Sequence, residues 1–237
     1  MCSGRVDLEF VLRAFLNGSD GVFIGGCRLN ECNYITHGNY HALNMVCLCK
    51  KIMEYMGLNP DRLRVEFMSA GDGIRFAGIM NDFGRQVTQI GPIGKAEAID
   101  KDELNARLEA VIRLIPYIKM KKREKLELRF DHLEAYHNLY TLDEIKSLFS
   151  EVVSYYIDPE RCQACMICAR KCPVEAISGG KNKIHVIDQE KCIKCGTCLK
   201  VCPPRFGAVG EIAEGSVPPP VSEEKRIIIR KSKKHKI

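Results

Sequence analysis

Apolar and polar positions in residues 1–95 alternate between helical and strand spacings. Asp7 stands where it can cap a helix whose apolar face carries Phe10, Val11, Ala14 and Phe15. Gly18-Ser19-Asp20-Gly21 breaks that helix. Val22-Phe23-Ile24 then reads as a short buried strand running into Gly25-Gly26-Cys27, with a loop over 26–37. Ala42, Val46, Cys49, Met53 and Met56 form the stripe of a long helix that Asn59-Pro60 closes. Leu63, Val65 and Phe67 alternate with Arg64 and Glu66, the pattern of a half-exposed strand. Ala77, Met80, Phe83, Val87 and Ile90 predict another inward-facing helix. This αβαβα order implies an α/β domain with parallel strands. Two strands make a poor sheet, and Met1-Cys2-Ser3-Gly4 reads as the tail of a third. The parallel sheet is therefore expected to be incomplete, needing residues upstream of Met1 or another polypeptide.

Residues 96–157 read as a helical connector. Leu104, Leu108, Val111 and Ile115 share a face, and Pro116 ends or kinks their helix. Lys119 to Lys125 is a basic run, read as a solvated helix face or turn. Thr141 with Glu144 makes a capping box for a helix bearing Ile145, Phe149, Val152 and Tyr156. Residues 158–210 follow as a cysteine-rich domain expected to be α+β, and 211–237 as a proline-rich, basic tail.

Composition narrows the function classes. A chain of 237 residues makes one or two domains at roughly 150 residues each. With 46% apolar and 28% charged residues it can build a core and is not wholly disordered. No apolar run approaches the ~18 residues of a membrane helix, and no export pattern opens the chain, so a cytoplasmic location without membrane insertion is expected. From Ser222 onward seven Lys/Arg face two Glu, which supplies most of the net +6. No nucleic-acid-reading module accompanies that charge, so no nucleic-acid partner is expected. Gly71-x-Gly73 is too sparse for a dinucleotide fingerprint.

The thirteen cysteines change the picture most. Five lie between Cys2 and Cys49, none between 50 and 161, and eight between Cys162 and Cys202. Without export they read as thiolate ligands rather than disulfides. Cys162-x-x-Cys165-x-x-Cys168-x-x-x-Cys172-Pro173 is followed by Cys192-x-x-Cys195-x-x-Cys198-x-x-x-Cys202-Pro203. This is the bacterial two-cluster ferredoxin spacing, in which the fourth cysteine of each run ligates the other cluster. One [4Fe–4S] cluster is thus assigned to Cys162, Cys165, Cys168 and Cys202, the other to Cys192, Cys195, Cys198 and Cys172. Zinc is the competing reading, but paired C-x-x-C units do not require this period or the trailing prolines. Ile184-His185-Val186-Ile187 suits a strand of a β-hairpin between the runs. Nine Lys/Arg against five Asp/Glu over 158–210 partly offset the cluster charge. Every cubane iron is ligated, so the domain is expected to pass single electrons and to hold no catalytic residue.

The N-terminal cysteines form a sparser set. Cys2 would end one strand, Cys27 ends the next, and Cys32 lies in the following loop. Loops at the carboxyl ends of parallel strands converge, so these three thiols could meet and hold a cluster. Three thiols are one short of a typical [2Fe–2S] site; of the two candidates for the gap, Cys49 falls on an apolar stripe and reads as a buried structural thiol, and Cys47, on the other side of that helix, reads as a bystander. His37 and His41 flank the loop as polar residues rather than ligands.

At MCSGRVD (1–7) and GGCRLNECNYITHGNYHA (25–42) the chain resembles the methyl-viologen-reducing hydrogenase delta subunit, or hydrogenase iron–sulfur subunit, family, over about residues 1–92. Residues 155–203 resemble the two-cluster ferredoxin domain of bifurcating hydrogenase and NADH-dehydrogenase-like flavoprotein subunits. The resemblance implies a non-catalytic electron-transfer adaptor that links a donor oxidoreductase, a hydrogenase or formate dehydrogenase, with the flavin subunit of a heterodisulfide-reductase-like, electron-bifurcating complex of anaerobic metabolism. It also implies a [2Fe–2S] cluster at Cys2, Cys27 and Cys32. The resemblance also implies that members usually carry a further segment with a C-x-x-C-like pair before MCSGRVD, and this sequence departs from that pattern. Three alternatives stand beside this reading. They are a docking scaffold whose N-terminal domain lacks a cluster, an electron-transfer subunit of another reductase using the same flavin subunit, and a free ferredoxin carrier.

Overall fold

The computed structural model describes residues 2–34, 37–130, 132–213 and 216–227. It divides into two compact units, 1–149 and 150–237. No helix among the described residues is long and apolar enough to cross a membrane.

In the first unit Cys2 caps a 3-10 turn, Ser3–Arg5, rather than ending a strand as the sequence predicts. Asp7 then caps α1 (Leu8–Leu16), its carboxylate accepting from the Glu9 amide. The buried stripe is Leu8, Val11, Leu12 and Phe15, while Phe10 is 65% exposed, so the predicted apolar face is rotated. Strand β1 (Val22–Gly26) leads through a loop to α2 (Asn39–Met56). Gly57, at φ 82°, stops α2 three residues ahead of the predicted Pro60 stop, because glycine takes the left-handed cap that other residues resist. Ala42, Val46, Cys49, Met53 and Met56 are all buried as expected, and so are Leu43, Met45, Leu48 and Ile52, which makes α2 the centre of the unit. Strand β2 (Leu63–Phe67) pairs parallel with β1 from Val22↔Leu63 to Gly26↔Phe67, giving a two-stranded sheet.

Helix α3 (Gly73–Ile90) buries only Phe83. Met80, Val87 and Ile90 are half-buried and Ala77 is exposed, so the predicted inward face is largely uncovered. Helix α4 (Lys101–Leu126) continues through Pro116, which lies inside it rather than ending it, and the basic run belongs to its last turns. Leu104, Leu108, Val111 and Ile115 are buried, and α4 packs on α1 and α2. A short α5 (Glu134–His137) precedes α6 (Leu142–Ser150). Thr141 Oγ1 accepts from the Glu144 amide, the first half of the predicted capping box. The Glu144 carboxylate turns instead to Lys122 and Lys125 of α4. Val152 and Tyr156 fall beyond α6, which buries Ile145 and Leu148.

Arg62, at the end of a 3-10 turn before β2, is fully buried. Its guanidinium bonds Glu97 at 2.6 Å and the carbonyls of Asp20 and Gly91 at 2.9 and 2.8 Å. The Asn59 and Gly94 amides donate to the same Glu97 carboxylate. Burial alone would raise Glu97, but these donors outweigh it and hold it below the ordinary carboxylate value.

Burial also pushes the α2 thiols up, Cys47 to about 11 and Cys49 to about 12, from 9.0 for an open thiol. The fold thus accepts the neutral thiols. Their contribution is complete below pH 9 and is lost as pH rises through the folded values. The urea midpoint followed by helical circular dichroism is expected to hold from neutrality to pH 9 and fall above it. A midpoint flat into the alkaline range would contradict this burial.

The second unit is a repeat with an offset of thirty residues, and Asp158, Cys162 and Gly196 mark its corresponding positions with Asp188, Cys192 and Met166. Strand β3 (Ser154–Ile157) is followed by α7 (Ile167–Lys171), β4 (Ile177–Gly180), β5 (Lys183–Ile187), α8 (Thr197–Val201) and β6 (Val209–Ile212). β3 pairs antiparallel with β6, and β4 with β5 as the predicted hairpin. Between these sheets the core holds Tyr155, Ile177, Ile187 and Val209 together with Cys168 and Cys198. Residues 228–237, which carry five of the seven Lys/Arg that follow Ser222, lie outside the described residues.

Candidate metal centres

Each cysteine run begins at an aspartate that shapes the loop. The Asp158 carbonyl accepts from the Cys162 amide at 3.0 Å, and the Asp188 carbonyl from the Cys192 amide at 3.0 Å. The two carboxylates accept from the Glu160 and Glu190 amides at 2.9 and 3.0 Å. Left-handed residues then curl the chain, Ala164 and Met166 in the first run (φ 50° and 67°), Lys194 and Gly196 in the second (φ 58° and 72°). This curl lets thiols three residues apart return to one side of the loop. Pro173 and Pro203 follow the fourth cysteines, where each short helix has already ended.

The thiols fall into two neighbourhoods. Cys168 lies close enough to Cys165, Cys162 and Cys202 to be perturbed by their charges. Cys192 is perturbed in the same way by Cys195 and Cys172. Cys172, Cys192, Cys195 and Cys198 line one small apolar recess with Tyr155 and Ile187. Each fourth cysteine therefore stands with the other run. Cys162, Cys168 and Cys198 are buried and Cys165 is exposed, with the remaining four in between.

Burial, then repulsion from neighbouring sulfurs, pushes Cys168 up to about 11 and Cys198 up to about 12. In Cys192, burial is opposed by the Lys194 backbone N–H and side-chain charge. Such sets ionise together only when a cation compensates them, which iron does. Among the described residues no three His, Cys, Asp or Glu side chains converge tightly enough for a single metal ion. Zinc would draw four sulfurs to about 2.3 Å from one point. A cubane holds its four thiolates on separate irons, further apart, and the residues fit that group. All thirteen cysteines are free thiols.

In the first unit the structure brings Cys2, Cys27 and Cys32 together. The Cys2 and Cys32 sulfurs lie 3.6 Å apart. Burial raises the Cys27 thiol, and contact with Cys32 and the nearby Cys2 raises it further. Burial also acts to raise Cys32, but the Tyr34 and Asn39 amides and the neighbouring sulfurs outweigh it and lower the thiol. The three line one open cleft with Gly26, Ser69 and Ala70, beyond the carboxyl ends of β1 and β2. Backbone packing is close here. A Cβ on Gly38 would come within 2.5 Å of Cys32 Sγ, and one on Gly4 within 2.0 Å of the His37 carbonyl oxygen.

Asn39 is the residue that sequence reasoning missed. It is buried, and its amide donates to the Cys27 and Arg28 carbonyls at 2.9 and 2.7 Å, with Cys27 Sγ 3.6 Å away. Its place in the Gly38-Asn39 pair was the available signal. Cys49 is enclosed in the α2 core, and Cys47 lines a separate recess with Tyr136 and Tyr140. The His37 and His41 rings stack edge-on at 5.7 Å, and His41 Nδ1 lies 3.4 Å from the Leu126 carbonyl.

Comparison with known proteins matches these two regions separately. Residues 155–207 match the 4Fe-4S dicluster domain, and residues 1–91 match the family described as methyl-viologen-reducing hydrogenase, delta subunit. The chain is 47% identical over 94 residues to a ferredoxin/F420H2-dependent CoB-CoM heterodisulfide reductase subunit of Methanosarcina acetivorans, covering 40% of the chain and 12% of that protein. It is 43% identical over 91 residues to an F420-non-reducing hydrogenase iron-sulfur subunit of Archaeoglobus profundus, covering 38% of the chain and 66% of the relative. With the vhu-type F420-non-reducing hydrogenase iron-sulfur subunit of Methanopyrus kandleri it shares 32% identity over 92 residues, 39% of the chain and 69% of the relative. The match thus spans about an eighth of the reductase protein, and about two thirds of the hydrogenase subunits. With its α/β unit carrying this match and its cysteine repeat lying within the dicluster match, the chain belongs to the methyl-viologen-reducing hydrogenase delta subunit family and joins that domain to a 4Fe-4S dicluster domain.

Proposed function

We propose that this chain is an iron–sulfur adaptor passing single electrons between a donor hydrogenase or formate dehydrogenase and the flavin subunit of a heterodisulfide-reductase-type complex, where the flavin bifurcates them. The reading rests on one observation above all, the grouping of each fourth cysteine with the opposite run. Cys162, Cys165, Cys168 and Cys202 would hold one [4Fe–4S] cluster, and Cys192, Cys195, Cys198 and Cys172 the other. Bound there, each cubane supplies one-electron uptake and release. The protein's part is to hold eight thiolates, exclude water with Tyr155, Ile177 and Ile187, and offset charge with groups such as Lys194. Relatives named as hydrogenase and heterodisulfide reductase subunits support these two kinds of partner. The chain itself would transform no substrate.

Cys2, Cys27 and Cys32 would supply three of the four ligands of a [2Fe–2S] cluster in the cleft. The competing reading, a docking unit without that cluster, is favoured by the cleft's having three thiols in its lining. Iron and acid-labile sulfide in the anaerobically purified native assembly decide between them. Ten irons per chain are expected if the binuclear cluster is present, and eight if it is not. In the first case Cys27→Ser lowers the count toward eight and removes a binuclear EPR signal. Colourless or zinc-loaded material would sink the whole reading. Co-eluting subunits identify the donor and acceptor, and elution as a lone chain would contradict the adaptor role.

A further inference from the structure

The repeat in the second unit places His185 and Tyr155 at corresponding positions, each seven residues before the first cysteine of a run. Each strand residue faces the opposite site. Tyr155 lies beside Cys192, Cys195 and Cys198, with its hydroxyl over Gly196, where a Cβ would come within 2.8 Å of it. His185 lies beside Cys162, with Nδ1 3.9 Å from the sulfur, within the range of an N–H···S contact. The imidazole is 1% exposed and its Nε2 has no hydrogen-bond partner. A neutral ring carries one N–H. Placed on Nε2, that proton would be a buried donor without an acceptor; placed on Nδ1, it meets the sulfur. Gly179 packs against the other edge of the ring, where a Cβ would come within 2.4 Å of Cδ2, so only glycine leaves room for the imidazole in this position.

We infer that His185 donates its Nδ1 proton to Cys162 and thereby raises the reduction potential of the cubane at the first site. The inference rests on the cubane reading above. One-electron reduction adds a negative charge shared with the thiolates, and an N–H aimed at sulfur stabilises the reduced form more than the oxidised one. No bond breaks, and the proton stays on Nδ1. Beside the second site stands a different group, Lys194, whose ammonium bonds Ser154 Oγ at 2.7 Å and whose charge opposes the burial of Cys192. The two sites are therefore chemically distinct although their ligand spacing is the same.

The test is an EPR-monitored redox titration of the full, anaerobically prepared chain with dithionite as the electron donor. His185→Phe keeps an aromatic ring and removes the donor. One cubane is expected to become about tenfold harder to reduce, 59 mV for one electron, while the other holds its wild-type value. His185→Asn, which places an amide N–H near the Nδ1 position, is expected to recover part of the shift. Wild-type chain labelled with 15N-histidine is expected to show an electron-spin-echo coupling to one reduced cubane that His185→Phe abolishes. Unmoved potentials with cubane iron and sulfide intact would overturn the inference, as would absence of the coupling in labelled wild-type chain. Missing cubane iron in wild-type chain would instead overturn the cubane reading, so the two failures are separable.

Discussion

Replacing Cys162 and Cys202 together by alanine is expected to leave one cubane in the second unit, whereas replacing Cys162 and Cys172 together is expected to leave none. The two double variants remove the same number of thiols and differ only in which ones. The first takes both sulfurs from the neighbourhood of Cys168 and spares the recess lined by Cys172, Cys192, Cys195 and Cys198. The second takes one sulfur from each. A cubane short of a thiolate has an open iron in a small domain with little else to hold it. Iron and sulfide in the second unit should fall from two cubanes to one in the first variant and to almost nothing in the second, with EPR reporting the surviving centre. The reverse ordering would show that each run keeps its own fourth cysteine.

The fold should follow the iron. The core of this unit is Tyr155, Ile177, Ile187 and Val209 around Cys168 and Cys198, a modest apolar volume for its length. Cluster binding is then folding energy, and the variant without cubanes is expected to lose the β3–β6 and β4–β5 pairings. Amide exchange in those strands measures it directly.

Arg62→Ala is expected to be the most damaging single substitution in the first unit, at ~3–5 kcal/mol. The change leaves Glu97, 8% exposed, without its cation and strips a donor from the Asp20, Gly91 and Pro92 carbonyls. Those groups belong to the turn before β1 and the segment joining α3 to α4, so both connections lose their tie to β2. Because Glu97 is held below its ordinary value, the pair's contribution is present above the unfolded carboxylate value of 4.5 and is lost as pH falls through the folded one. Urea unfolding at neutral pH and in acid should show the wild type losing stability on acidification and Arg62→Ala losing much less. Equal acid sensitivity in the two proteins would contradict this account.

The second unit was largely legible from its residues, because eight cysteines at fixed spacing constrain a chain more than a hydrophobic pattern does. What spacing could not show was how the loops curl. Ala164 and Lys194 adopt left-handed backbone that their side chains do not favour, and only the surrounding geometry imposes it. In the first unit both strands and their parallel pairing followed from alternation and order. The errors came where tertiary packing decides. Phe10 lies on a plausible stripe but points outward because Leu8 and Leu12 complete a better one. Gly57 ended α2 before Pro60 was reached, and Pro116 sits in mid-helix where α4 tolerates a missing amide. Arg62 looked like one more charged residue beside a turn, since nothing local marks an arginine as buried. Asn39 likewise depends on carbonyls that a loop, not a helix, delivers to it.

Cys165 is the one exposed residue among the eight cysteines, while its counterpart Cys195 is partly covered. With a cubane bound as proposed, that exposed position would be the natural doorway for charge entering or leaving it. An oxidant reaching the cluster would meet that side first. Whatever docks over that corner in a working assembly would serve both as conductor and as seal.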